Sequence, residues 1–483
     1  MQNTDRNLRQ LIISRIKLNN PWWQTGVIPC DYLAMRERPL IRDFYPAVAD
    51  LDLKRAPILM GPRRVGKTVM LYHCIKRLIE AGIEPRRIIY LSIDTPVYSN
   101  QSLEMLFGMA REAAGVEESY DRFYVFYDEI QYLKDWEVHL KSMVDTFRQS
   151  KFVASGSAAA ALKMKSIESG AGRFRDFMLP PLTFAEYIHL MNLDNLITET
   201  GDPKNPFGSD NIELLNRHFV RYINFGGYPE VAFSNEIQSD TAAYVKNDII
   251  EKVLLRDLPS LYGVSDIQEL NMFFAHIAYR SGGEFSYQSL STDSGIRKET
   301  LKKYLEYLEA AFLIKIVHRI DHNAKHLQRT TTFKIYLTNP MLKAALFTPV
   351  SEKDDSFGNM VETAIFAQWI PSASNTPYYA NWHKGRNKGE VDMVWLNAVT
   401  QKTCSATEVK WSNRYLDNTH ELESLTTFLQ LNPTIAKVIV TTINLAGRRT
   451  IADKEVVLMP AALYAYWVSY RILNKNESNL FTT

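Results

Sequence analysis

Eight consecutive residues, Gly61-Pro62-Arg63-Arg64-Val65-Gly66-Lys67-Thr68, constrain this chain more than any other feature. They match a phosphate-binding loop, and their flanks supply the setting that such a loop requires. Ile58-Leu59-Met60 reads as the end of a buried strand, and an apolar-periodic helix runs from Thr68 and stops before Gly82. Strand, glycine turn and helix in that order turn backbone N–H groups toward phosphate, where the helix N-terminus adds favourable partial charge. Lys67 is then expected to reach the β- and γ-phosphates of ATP, and the Thr68 hydroxyl to bind Mg2+.

A phosphate loop needs an acid at the end of a neighbouring strand, and Tyr124-Val-Phe-Tyr-Asp128-Glu129 supplies one. Asp128 is the expected Mg2+ partner, and Glu129 the residue that polarises the attacking water. Arg87–Asp94 and Phe152–Ser157 read as further parallel strands. Ser155 and Ser157 are both candidates for contacting the γ-phosphate. Arg173, after Gly172, is the candidate arginine finger, which implies a homo-oligomer; Arg175 is the weaker choice.

The loop, Asp128-Glu-Ile-Gln131, Ser155-Gly-Ser157, Gly172-Arg173, Leu179-Pro-Pro-Leu-Thr-Phe-Ala-Glu-Tyr187 and Gly226-Gly-Tyr-Pro-Glu-Val231 occur in this order. Together they resemble a group of bacterial and archaeal AAA-type ATPases that carry a C-terminal domain of unknown function. The resemblance covers roughly residues 40 to 470. It implies a P-loop (AAA-type) parallel sheet core followed by a helical lid. The amphipathic pattern from Glu213 to Leu258 fits that lid, with Arg221 and Arg256 as the arginines available to sense nucleotide.

Two further modules are read from the residues downstream. Phe285–Gly295 gives a helix and a glycine turn, and Lys298–Ala311 a second helix with Leu301, Tyr304, Leu305 and Leu308 on one face. Phe312–Val317 and Thr332–Leu337 then alternate like the strands of a wing, so the pattern is a winged helix-turn-helix. Arg297, Lys298, Lys302 and Lys303 on the second helix, with His318, Arg319, Lys325, His326 and Arg329 on the wing, suit phosphate contacts on duplex DNA.

Beyond it, Gly389-Glu-Val-Asp392-Met-Val-Trp395 and Ala406-Thr-Glu408-Val-Lys410-Trp411 read as two strands of a hairpin. Asp392 followed by Glu408-x-Lys410 resembles the PD-(D/E)XK nuclease core. Two carboxylates, Asp392 and Glu408, would then hold Mg2+ to activate a water, with Lys410 expected to position that water or stabilise developing charge and Glu362 to complete the metal shell. His383, Lys384, Arg386 and Lys388 add basic groups for a nucleic-acid backbone.

With 483 residues the chain exceeds one core, which requires several domains. The expected division is an N-terminal segment (1–40), a P-loop AAA-type core (41–190), a helical lid (191–265), a winged helix-turn-helix (266–347), an α/β restriction-endonuclease-like domain (348–472) and a tail (473–483). A net charge of +2 permits a local DNA-binding patch without demanding one. Cys30, Cys74 and Cys404 are too far apart for a metal pair or disulfide framework, which fits a reducing cytosol. Neither a signal peptide nor an apolar span long enough for a bilayer is present, so a cytoplasmic location without a membrane partner is expected. Three functions follow, in order of preference: an ATP-driven DNA-processing protein, a nucleotide-controlled signalling or defence switch, and an ATP-gated DNA-binding regulator.

Overall fold

The computed structural model describes residues 2–99, 101–116, 122–156, 172–259, 263–264, 266–321, 332–372, 375–384, 387–416 and 419–474. It divides into two compact units, Met1–Pro180 and Pro181–Thr483.

The first unit is built on five parallel strands: β1 (Ala56–Met60), β2 (Ile88–Ser92), β3 (Tyr124–Asp128), β4 (Lys151–Gly156) and β5 (Phe174–Met178). Their order across the sheet is β2-β3-β4-β1-β5. β1, β3 and β4 are buried throughout, as apolar runs covered on both faces should be. The order sets the C-terminal end of β4 between those of β1 and β3, so loop, serine and acid converge. β2 is the sheet edge, and side chains of the N-terminal segment cover its free backbone. Asn20 accepts from Tyr90 N at 2.7 Å and donates to Tyr90 O at 2.9 Å, while Trp22 and Trp23 donate to Ile88 O at 3.0 and 2.8 Å. Covering an edge in this way removes a template for aggregation.

The second unit holds a nine-stranded sheet. Its strands, after a two-residue ribbon β6 (Thr198–Glu199) and β7 (Phe207–Gly208), are β8 (Glu284–Ser286), β9 (Ile314–Asp321), β10 (Thr332–Leu337), β11 (Tyr378–Lys384), β12 (Asn387–Leu396), β13 (Thr403–Glu408), β14 (Lys437–Thr442), β15 (Gly447–Ile451) and β16 (Lys454–Pro460). The order is β15-β16-β14-β13-β12-β11-β9-β10-β8. The strands expected as a wing and those expected as a nuclease core therefore form one sheet, joined where β9 pairs in parallel with β11. Two local readings are corrected here. Residues 284–286 are a strand, with the helix confined to Tyr287–Ser294, and the segment read as a loop before Gly389 contains β11.

The expected helical stretch is present as Ile212–Phe225, Pro229–Phe233, Asn235–Ser239 and Thr241–Val245, continued by π-helical turns Lys246–Glu251 and Val253–Asp257. Its Phe219, Tyr222 and Ile223 belong to the same core as Val361, Ile365, Met459 and Trp467. The Gly226-Gly227 interruption has a steric cause. A Cβ on Gly227 would lie 2.4 Å from Asn339 Oδ1. The backbone there accepts from Leu182 N at 2.8 Å, just before the Thr183–Glu186 capping box that opens the helix Phe184–Leu190.

Candidate functional site

The phosphate loop follows β1 directly, and the helix Lys67–Glu80 begins at its end with Gly66 at φ 95° as N-cap. Gly61 is fixed by close approach: a Cβ there would meet Leu179 O at 2.2 Å. Pro62 and Val65 are buried, Arg63 donates to the Tyr132 hydroxyl at 3.0 Å, and Arg64 is exposed in the left-handed region at φ 66°. Lys67 is 4% exposed, and its Nζ donates to Gly61 O at 3.2 Å and Pro62 O at 2.9 Å. A lysine held within its own loop is placed to meet a phosphate seated there.

Asp128 gathers four donors on one buried carboxylate. Thr68 Oγ1 and the Tyr90 hydroxyl each donate to Oδ2 at 2.7 Å. The Ser155 hydroxyl donates to Oδ1, as does Glu129 N at 3.1 Å. Burial pushes the Asp128 carboxyl up, Glu129 adds to the shift, and the hydroxyl donors oppose it. Two oxygens 2.7 Å apart, Thr68 Oγ1 and Asp128 Oδ2, are the donor types that suit Mg2+. Glu129 sits at φ 54°, ψ 44°, a strained conformation for a residue with a side chain. Gln131 donates to its Oε2. Backbone strain at the residue expected to polarise water is a common mark of a functional position.

Of the two serines, Ser155 is the one that reaches Asp128; Ser157 lies outside the described residues. Arg173 pairs with Asp145 of its own chain at 2.5 Å and is 41% exposed, and Arg175 stacks over the Phe177 ring. Sequence reasoning missed Arg38. It is 6% exposed, and its Nη1 donates to Val65 O at 2.9 Å and Pro180 O at 3.0 Å, clamping the phosphate loop from behind. Tyr90 was missed for the same reason: nothing local to either residue shows what it will face.

In the second unit, β12 and β13 are antiparallel with Met393 opposite Thr407, which sets Asp392 beside Glu408 on one side of the sheet. Glu408 is 5% exposed. Its Oε1 accepts from Lys410 Nζ at 2.8 Å, and its Oε2 is buried without a hydrogen-bond partner. Asp392 Oδ2 accepts from Val409 N at 2.7 Å. Burial pushes the Asp392 carboxyl well up, with Glu408 and Glu362 adding to the shift. The strand ends at Glu408, so Lys410 lies beyond it and not two residues along it; the Thr441 hydroxyl bonds both its backbone N and O.

Glu362, on the helix Phe357–Ala367, is engaged by two groups on β10. Its Oε1 accepts from Lys334 Nζ at 3.1 Å and from the Tyr336 hydroxyl at 2.5 Å. Among the described residues no three His, Cys, Asp or Glu side chains gather as a metal group. The orphaned Glu408 oxygen beside Asp392 fits a single divalent cation held by two carboxylates.

The helix Lys298–Ala310 buries Leu301, Tyr304, Leu305 and Leu308, and leaves Lys298, Lys302 and Lys303 exposed, with Arg297 exposed just before it. Exposed His318 and half-buried Arg319 lie on β9. Lys325, His326, Arg329 and Arg386 lie outside the described residues, as do the side chains of His383, Lys384 and Arg256. Lys388 is exposed, and Arg221 bonds Asn235 and Gln238. No described helix is long and apolar enough to cross a membrane.

Residues 53–188 match the family model described as an AAA domain, and residues 216–354 match one described as a domain of unknown function (DUF8612). The chain is similar to an uncharacterized protein of Haemophilus influenzae, 22% identical over 393 residues that span 80% of this chain and 88% of the other. An uncharacterized protein of Methanocaldococcus jannaschii is 24% identical over 364 residues, 73% of this chain and 75% of that one. Among solved structures it is similar to a Walker-type ATPase of Pyrococcus abyssi, with 16% identity and a TM-score of 0.35, covering 65% of this chain and 95% of the other. It is also similar to the ORC2 protein of Aeropyrum pernix in its ADPNP–ADP complexes, with 14% identity and a TM-score of 0.37, covering 64% and 90%. The parallel sheet of the first unit lies within the residues that match the AAA domain model and has the P-loop α/β arrangement.

Proposed function

We propose that this protein hydrolyses ATP and couples turnover to DNA. The observation that carries the ATPase reading is the meeting of Lys67, Thr68, Ser155, Asp128 and Glu129 at the C-terminal ends of β1, β3 and β4. Lys67 would hold the β- and γ-phosphates, Thr68 and Asp128 would hold Mg2+, and Glu129 would orient the attacking water. Mg2+ supplies neutralisation of charge on the phosphates in such a site. Arg173 is the group proposed to leave Asp145 for a neighbouring subunit's nucleotide when the chain assembles.

For DNA, the supporting features are the exposed basic residues Arg297, Lys298, Lys302 and Lys303 at a helix that follows a glycine turn, and the Asp392–Glu408–Lys410 cluster. We read the first as a winged helix-turn-helix and the second as a nuclease-like site in which Asp392 and Glu408 hold the metal and Lys410 faces the scissile phosphate. A second reading, a nucleotide-controlled switch with a non-cutting C-terminal unit, is favoured by one observation: Glu362 is already engaged by Lys334.

The experiment is ATP hydrolysis by the full chain with Mg2+ and no DNA, single-strand, duplex or four-way-junction DNA, with cleavage followed on the same samples. We expect one DNA form to stimulate turnover, and Lys67→Ala to lose turnover while keeping its thermal transition. Unchanged hydrolysis in Lys67→Ala would sink the ATPase reading. Turnover indifferent to every DNA, without cutting, would leave the switch.

A further inference from the structure

Lys334 lies on β10, in the segment read as a wing, yet it sits among the carboxylates of the C-terminal cluster. Its side chain is 4% exposed and makes ion pairs with Glu362 at 3.1 Å and Glu390 at 2.6 Å. Its ammonium also lies over the rings of Tyr336 and Tyr379, 5.9 and 5.5 Å from their centroids. A lysine is almost never buried to this degree unless paired, and here two carboxylates hold it. Tyr336 fixes Glu362 from a second side.

We propose that Lys334 is a built-in cation that takes the place of a second metal ion, so that the C-terminal site binds one divalent cation, on Asp392 and Glu408. The inference rests on the reading of those two residues as metal ligands and concerns how many ions their site takes. Geometry supports it, because among the described residues the buried carboxylate oxygen of this cluster that lacks a hydrogen-bond partner is Glu408 Oε2. The oxygens of Glu362 and Glu390 nearest Lys334 are already directed to its ammonium. Burial disfavours the Lys334 ammonium, but the Glu362 and Glu390 carboxylates outweigh that cost and hold its pKa well above the ordinary lysine value.

A site with one mobile and one covalently tethered cation has a definite signature in metal binding, independent of any activity. Mn2+ titrated calorimetrically into the nucleotide-free full chain should show one ion per chain whose binding is lost in Glu408→Gln. Lys334→Met removes a positive charge from beside that ion, so Mn2+ should bind at least about tenfold more tightly. Two ions lost together in Glu408→Gln would overturn the inference, as would unchanged or weaker Mn2+ binding by Lys334→Met. Should Lys334→Met fail to fold, Lys334→Gln repeats the comparison, and the wild-type stoichiometry decides alone. Absence of any Mn2+ binding sensitive to Glu408→Gln is a different failure, because it removes the metal reading of Asp392 and Glu408 as well.

Discussion

Glu129 shows how strain and chemistry share one residue. Its left-handed backbone costs on the order of 1 kcal/mol, a cost that glycine would not incur. Glu129→Gly should therefore raise the thermal midpoint of the first unit by a degree or more while turnover falls at least about a hundredfold. A lower midpoint in calorimetry would show that the carboxylate, and not the backbone, dominates its contribution to stability. Tyr90 makes the complementary case. Its hydroxyl is one of two donors to Asp128 Oδ2, and a hydrogen bond to a charged group contributes roughly 1.5–3 kcal/mol. In Tyr90→Phe the carboxylate is less firmly aimed at Mg2+. The Mg2+ concentration for half-maximal hydrolysis should rise by about tenfold or more, with metal-free nucleotide affinity unchanged. An equal loss of Mg2+ affinity and of metal-free nucleotide affinity would mark Tyr90 as a packing residue only.

At the scale of elements, β4 begins with a buried lysine. Lys151 is 2% exposed, donates to Asp50 O and Leu53 O at 2.7 and 2.8 Å, and burial lowers its pKa to about 8. Lys437, at the start of β14, is likewise lowered to about 8 by burial. The unfolded chain binds more protons at these lysines than the folded chain between their folded value of about 8 and the ordinary 10.5, so stability rises with pH there. Above about 10 the buried tyrosines, raised by desolvation, reverse the slope, because only the unfolded chain releases their protons. Urea midpoints should thus climb from pH 8 to 10, and Lys151→Met should remove the part of the climb that belongs to the first unit. An unaltered pH profile in that variant would mean Lys151 stays protonated in the fold. The elements themselves were largely readable. The helix after the loop, the strand ending in Asp128 and the helix Lys298–Ala310 each carry their own apolar period, and all appear within a residue or two of expectation. β11 was not read, because its polar, aromatic run Tyr378–Lys384 has no clean alternation and earns its place by pairing with β9 and β12.

For the whole molecule, the nine-stranded sheet bears on where the chain can be divided. A cut at 347 would part β11 from β9 and strip Lys334 from Glu362 and Glu390, leaving two acids without their ammonium. A fragment 348–483 should therefore lack a cooperative transition, whereas 181–483 should fold alone with near-native circular dichroism. A cooperative transition in the shorter fragment would show that the sheet divides at β9–β11. The phosphate loop, the strand ending in Asp128-Glu129 and the Glu408-x-Lys410 run were legible in the sequence alone, since each is a contiguous pattern that depends on residue type and close spacing. Strand order decided the rest. It brought Tyr90 and Ser155 to Asp128, set Arg38 behind the loop, tied Arg173 to Asp145 and put Lys334 between Glu362 and Glu390, acids well downstream of it in the chain. Such partners are chosen by long-range pairing and burial, which follow from how whole strands sort themselves and not from any local run of residues.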